Sequence, residues 1–306
     1  MRAHWGAPYR DEWKDWAWPC VTAFAEIRSP VDWYGVDRGI HVYYANPNAG
    51  FRLRGDIKDR FPNLSLIVTP STGETHLDRE SLAEAGIDVL SLLDDRRALD
   101  EIRASSEFTF LLILAALRRF DRSLLEKRWE RDENALRGRE LYGKMVGLIG
   151  HGRIGKNVEN WCRGFGAGVY WNDPYDASNI YQPSVEWIFR NCPIVVVCCS
   201  LTLETRGLVD WYKVRTMRRN AILVNTSRGE VFDENGVADA LMYRPDIHLW
   251  TDVLAGEESG DILVSPLMGL ENVHITPHIA GTTVESQEKA ARIALDLTKR
   301  YLSACR

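Results

Sequence analysis

Three segments in the second half of the chain carry side chains that together could hold an acid and move a proton. Arg228 lies in Asn225-Thr-Ser-Arg-Gly229, Glu257 ends Thr251-Asp-Val-Leu-Ala-Gly-Glu257, and His278 lies in Thr276-Pro-His-Ile-Ala-Gly281. An arginine offers a planar fork of donors that matches a carboxylate and the carbonyl oxygen next to it. A histidine exchanges a proton near neutral pH. A glutamate beside it can hold the imidazole in place and favour its charged form. Reduction of a carbonyl needs a proton donor and oxidation of a hydroxyl needs a base, so such a pair suits both directions. Taken singly, each residue has an ordinary explanation: a solvated or ion-paired arginine or glutamate, or a histidine starting a turn beside Pro277. The combination carries the chemistry, because each segment follows a short apolar run that reads as a strand. Loops beyond the carboxyl ends of parallel strands are where such sheets bind ligands.

A second constellation precedes it. Residues 145–149 read as a strand, and Gly150, Gly152 and Gly155 follow as G-x-G-x-x-G at the start of a helix. Glycines there let the backbone approach a pyrophosphate, and the helix start supplies amide donors and a positive dipole end. Asp173 ends the next strand, about twenty residues past Gly152, where a carboxylate accepts hydrogen bonds from ribose hydroxyls and repels a 2′-phosphate. NAD is therefore expected rather than NADP. A plain strand-to-helix turn is the simpler alternative. A phosphate loop of the nucleotide triphosphatase kind fails at its last position, where Asn157 stands in place of Ser or Thr.

The elements that must position these residues alternate. Strands are expected at residues 145–149, 168–172, 194–198, 221–225, 248–253 and 273–275, with helices at 154–164, 185–190 and 233–242 between them. Continuous apolar strands alternating with helices imply a parallel sheet covered on both faces. Upstream, residues 41–45, 64–70 and 89–92 read as strands, and 51–61, 78–85 and 106–120 as helices. Residues 283–302 form one amphipathic helix. The first stretch resists assignment, but Trp5, Trp13, Trp16, Trp18 and Trp33 give it more aromatic mass than a disordered tail carries, so it is expected to be packed.

The chain has 306 residues, enough for two domains. A net charge of −5 without like-charge blocks argues against nucleic acid or an anionic membrane as partner. The longest apolar stretch, residues 108–117, is too short to span a bilayer, which takes ~20 apolar residues. Residues 1–9 lack the apolar run of a signal peptide. None of the six cysteines shows C-x-x-C spacing, so reduced, buried thiols in a cytoplasmic protein are expected and no metal is implied.

These motifs, in this order, resemble the D-isomer-specific 2-hydroxyacid dehydrogenase family, which includes phosphoglycerate dehydrogenases. The stretch from Val146 to Gly155 is similar to its nucleotide motif. Leu201-Thr-Leu-Glu-Thr-Arg-Gly-Leu208 resembles its P-L-T-x-E-T-x-G-L segment, with Ser200 in place of the usual proline. The arginine and histidine segments resemble their counterparts, and the likeness runs from about residue 64 to 302. Residues 1–30 do not resemble the strand and helix with which the family begins.

The resemblance implies that Arg228 binds a substrate carboxylate, that His278 is the acid/base and that Glu257 pairs with it. It implies that Arg153 and Ile154 offer backbone amides to a pyrophosphate, and that Cys199, Thr226 and Asp252 line the cofactor. Thr72 and Gly73 match its substrate loop. The expected fold is α/β: a Rossmann dinucleotide domain over residues 106–281 and a flavodoxin-like, discontinuous substrate domain over 1–105 and 282–306, with a cleft between them. The expected reaction is hydride transfer between NAD(H) and a small 2-hydroxy acid/2-oxo acid pair, of the D-isomer, in a cytoplasmic homodimer. The helix at 106–120 and the Arg-rich segment after it would form the dimer face. The end of the chain after its last helix resembles short members without an appended regulatory domain. Two alternatives on the same fold are a non-catalytic NADH-sensing protein and a formate dehydrogenase, whose pattern has Gln where Glu257 stands.

Overall fold

A computed structural model describes residues 2–5, 36, 38–45, 52–125, 136–178, 181–257 and 265–304. The chain forms two compact units, Met1–Ile102 with Thr283–Arg306, and Arg103–Thr282.

In the first unit, strands β1 (Arg2–Trp5), β2 (Ile40–Tyr44), β3 (Leu66–Thr69) and β4 (Asp88–Ser91) form a parallel sheet in chain order. Strand β1 escaped the sequence reading. It pairs with β2, Ala3 opposite Val42 and Trp5 opposite Tyr44. Trp13, Trp16, Trp18 and Trp33, and with them the expected packing of that segment, lie outside the described residues. The helix expected at 51–61 is not there. Leu53 is extended and forms a parallel bridge with Leu77, and only Gly55–Asp59 makes a 3-10 turn. Pro62 disfavours a helical residue at Phe61, and the backbone of Leu53 is spent on His76 and Asp78. Helix α1 (Arg79–Glu84) starts where the Asp78 side chain accepts from the Ser81 amide. Ile40, Leu64, Ile67 and Leu82 form one core under this sheet. The C-terminal helix, Val284–Ala304, closes a second with Ile293 and Leu297 against Leu92, Leu99 and Ile102. Its Thr298 accepts a 2.9 Å hydrogen bond from the Tyr44 hydroxyl.

The second unit opens with helix α2 (Ala104–Arg118). Strand β5 (Met145–Ile149), helix α3 (Arg153–Gly164) and strand β6 (Gly168–Asn172) follow. Then come α4 (Val185–Asn191), β7 (Ile194–Val197), α5 (Trp211–Thr216), β8 (Ile222–Asn225), α6 (Glu234–Tyr243), β9 (His248–Thr251) and β10 (Val273–Ile275). The six strands are parallel in the order β10-β9-β8-β7-β5-β6. Alternate residues of each strand point to opposite faces, and along the central strands β7 and β8 both faces are buried. Ile194, Val196, Ile222 and Val224 pack with Leu112, Ile113 and Val158. Val195, Val197 and Leu223 pack on the other side with Ile188, Phe189 and Leu241. Phe189 is fully buried there, and its truncation to Ala would cost ~3–5 kcal/mol. Strand order reverses at β5, which has β6 on one side and β7 on the other. The loops leaving β5 and β7 therefore diverge and open a crevice at their carboxyl ends.

Candidate functional site

Gly150 follows β5 with φ 98°, and a Cβ built there would lie 2.6 Å from the Cys199 nitrogen. The loops after β5 and β7 thus meet backbone to backbone at the switch point, which only glycine allows. A Cβ at Gly155 would come within 2.5 Å of the Gly150 carbonyl oxygen, so the helix start packs equally close. Gly152 differs: nothing lies within 4 Å of a Cβ built on it, and it caps α3 without a side-chain hydrogen bond. An open space over an uncapped helix start suits a pyrophosphate, with the amides of the first turn, from Arg153 and Ile154 onward, nearest to it.

Asp173 stands at the end of β6. One carboxylate oxygen accepts from the His151 amide at 2.8 Å and the other from the Tyr175 amide at 2.9 Å. Each oxygen keeps a lone pair for a ribose hydroxyl. The residues present therefore fit a dinucleotide. Beside them lies His151, which sequence reasoning passed over as a variable position of the glycine motif. Its ring stacks on Trp171 at 4.0 Å and 6°. Its nitrogens lie 2.7 Å from Asp176 and 2.6 Å from Glu159.

The residues expected to carry the chemistry sit on three loops beyond β8, β9 and β10. Arg228 precedes a 3-10 turn, Gly229–Val231, and its Nη1 donates to the Ser227 carbonyl at 2.7 Å. A Cβ at Gly229 would fall 1.9 Å from the Leu254 carbonyl carbon. The arginine loop is therefore pressed directly against the loop that ends in Glu257. Glu257 Oε1 lies 2.7 Å from His278 Nδ1, with 16% and 41% of the two side chains exposed. His278 has φ 51°, the left-handed region, and its amide donates to Asp252 and Thr276 carbonyls. That strain is held by the loop. The Asp252 carboxylate, 1% exposed, accepts from the Thr276 hydroxyl at 2.6 Å and from the amides of Ile279 and Ala280 at 3.0 and 2.8 Å.

Two supports had no sequence signal of their own. Glu234 lies on the first turn of α6. It is buried, and it accepts from the Ala255 amide at 2.6 Å and the Ser265 hydroxyl at 2.7 Å, fixing the base of the Glu257 loop. Asn225 accepts from the amide and hydroxyl of Ser227 and donates to the Arg228 carbonyl, shaping the arginine turn. The Thr226 hydroxyl bonds Thr109 on α2 at 2.7 Å. Burial pushes the Cys199 thiol up to about 11, so at neutral pH it is uncharged.

In the first unit, Thr72 and Gly73 follow β3 in a turn. Ser71 donates to the Gly73 carbonyl at 2.6 Å and bonds Thr69, which also bonds the buried His76 at 3.0 Å. This chain of side chains, none of it anticipated, defines the shape of the turn.

Among the described residues no helix is long and apolar enough to cross a membrane. A family model described as "D-isomer specific 2-hydroxyacid dehydrogenase, NAD binding domain" matches residues 109–280. The chain is 29% identical to the D-3-phosphoglycerate dehydrogenase of Methanocaldococcus jannaschii over 83% of its own length and 48% of that protein. It thus spans about half the length of that relative. It is 31% identical to the glyoxylate reductase of Thermofilum pendens, over 79% of this chain and 73% of that one. A crystal structure of D-lactate dehydrogenase from Aquifex aeolicus with NAD and lactic acid superposes with a TM-score of 0.80. It has 21% identity and covers 99% of this chain and 96% of that one.

Proposed function

The chain belongs to the D-isomer-specific 2-hydroxyacid dehydrogenase family, and on that premise we propose that it interconverts a 2-hydroxy acid and its 2-oxo acid with NAD as cofactor. The observation that carries the reading is the 2.7 Å contact of His278 with Glu257, on a loop packed against the arginine loop.

Bound NAD(H) supplies the hydride exchanged with C2 of the acid. The protein's own groups do the rest. Arg228 grips the substrate carboxylate through its forked donors and polarises the adjacent carbonyl. In reduction His278 donates its proton to the oxygen on C2; in oxidation it takes the hydroxyl proton. Glu257 orients the ring and stabilises the imidazolium. Gly150, Gly152, Arg153, Ile154 and Gly155 hold the pyrophosphate, Asp173 holds the adenine ribose, and Cys199, Thr226 and Asp252 line the remainder. The amides of Thr72 and Gly73 bind the acid as well. The D-isomer as substrate, a homodimer formed through α2 and the segment after it, and a cytoplasmic location complete the proposal. The exposed Leu111 on α2 and Phe120 in the segment after it support the interface.

The test mixes NADH with the purified chain and a panel of 2-oxo acids and follows NADH absorbance. Consumption with at least one acid is expected. Tight NADH binding with no consumption by any acid would overturn the catalytic reading. Sedimentation of the same sample reports the dimer.

A further inference from the structure

Two nitrogen-bearing side chains, His151 and Lys156, flank the adenosine end of the glycine loop, and both are already committed to carboxylates. His151 is 6% exposed, lies flat on Trp171, and has a carboxylate oxygen of Asp176 or Glu159 within 2.7 Å of each ring nitrogen. Lys156, on the first turn of α3 and 57% exposed, has its ammonium 3.3 Å from the same Asp176 oxygen. Asp176 also accepts from the Ser178 amide at 2.9 Å. The Ser178 contacts first, and the His151 contact after them, hold its carboxyl well below the usual range. The His151 amide in turn donates to Asp173. One residue therefore ties together the two acids of the loop after β6.

We infer that Asp176 is a second specificity-determining residue for the cofactor: it occupies Lys156 and His151, which would otherwise grip the 2′-phosphate of NADP. The inference rests on the glycine loop being the dinucleotide site. NADP differs from NAD by a phosphomonoester on the adenine ribose, and such a dianion is held by charged donors. Asp173 repels it. Asp176 withholds the donors that could compensate. The loop thus contains a latent phosphate site, masked by one carboxylate.

The consequence is a defined failure of the obvious exchange. Asp173→Asn removes a repulsion but leaves Lys156 and His151 paired, so NADPH affinity should rise little. Asp173→Asn with Asp176→Asn frees the Lys156 ammonium and one ring nitrogen of His151, whose other nitrogen stays with Glu159, and the ratio of NADPH to NADH dissociation constants should fall at least about tenfold further. Adding Lys156→Met to the double variant should erase much of that gain. Titrations of NADH and NADPH fluorescence on wild type and the three variants measure every ratio, and the urea unfolding transition of each variant reports its integrity. If the double variant is no better than Asp173→Asn, or its gain survives Lys156→Met, the masking role is wrong. A wild-type chain that binds neither nucleotide would instead sink the dinucleotide reading, and this inference with it.

Discussion

Nδ1 of His278 lies 2.7 Å from Oε1 of Glu257, and the histidine reaches that place only with a left-handed backbone, φ 51°. A bulky residue adopts this conformation rarely, at a cost of order 1–3 kcal/mol. The loop sustains it because the Asp252 carboxylate fixes the backbone on the far side of His278 at Ile279 and Ala280. With Nδ1 turned to Glu257, Nε2 is the nitrogen that the proposed reaction would use. The ring has one donor position for the protein and one for the reaction.

His278→Ala should therefore lower turnover by at least ~100-fold while NADH still binds, since a positioned acid/base typically contributes ~100- to 10,000-fold. Glu257→Gln keeps a hydrogen-bond partner for the ring but removes the charge that stabilises imidazolium, and should cost less. Steady-state kinetics in both directions decide it. Equal losses for the two variants would mean that Glu257 does more than orient and stabilise the ring.

Arg228→Ala should abolish activity and leave NADH affinity nearly unchanged. Arg228→Lys should rescue poorly, because an ammonium lacks the planar fork that spans a carboxylate and its neighbouring carbonyl. A lysine variant with wild-type kcat/KM would show that the contact is a single charge and not a bidentate one.

The parts of this site that the sequence displayed are those where one residue type has one physical use. Gly150 must take φ 98° against Cys199, and Gly229 must pass within contact of Leu254, so glycine appears at both. The central strands of the second unit, β7 and β8, were readable because apolar side chains run along them almost without a break, as burial on both faces requires. Strand β1 was not, since Arg2-Ala-His-Trp5 has no such run and, among the described residues, stands at the edge of its sheet. Helix α5 is short and begins on an Asp210 cap that reads equally well as a turn. The residues behind the site were illegible for a different reason. The resemblance marked Asp252 as lining the cofactor, but nothing local shows that it grips the amides of Ile279 and Ala280, or that Glu234 grips that of Ala255, because no local pattern marks which carboxylate will be buried under which loop.

Asp252→Asn tests that hidden layer. The carboxylate accepts three hydrogen bonds, and an amide would turn donors toward the Ile279 or Ala280 amide. Loss of charged hydrogen bonds in a buried setting should cost about 2–3 kcal/mol of stability. Turnover should also fall, because His278 loses its enforced backbone. Urea denaturation measures the first and kinetics the second. A variant with wild-type stability but impaired turnover would assign Asp252 to the cofactor instead of the loop.

The last prediction concerns acid stability and a pair of histidines remote from the chemistry. His248 begins β9 and His274 lies in β10, at the opposite ends of strands whose carboxyl ends carry the reactive loops. Their rings stack at 5.7 Å, and His274 also stacks on Trp250 at 4.3 Å. Burial lowers the His248 pKa to about 4, helped by the positive charges of His274, Arg119 and Arg122, while Asp121 opposes the shift. In the unfolded chain a histidine titrates near 6.5. Above that pH the ring is neutral in both states and contributes no pH dependence. Between about 6.5 and 4 the unfolded chain takes up a proton that the native state refuses, so stability falls as pH falls. Below about 4 both states are charged and the loss stops growing. The slope from this group cannot exceed ~1.4 kcal/mol per pH unit, and partial exposure of the ring reduces it through solvent screening. His248→Phe keeps an aromatic ring for the stack and removes the titration. Urea unfolding at a series of pH values from about 7 to 4.5 should therefore show a shallower acid loss for the Phe variant than for wild type, with the two curves approaching parallel above pH 6.5. Curves parallel across the whole range would mean that His248 titrates alike in the folded and unfolded chain.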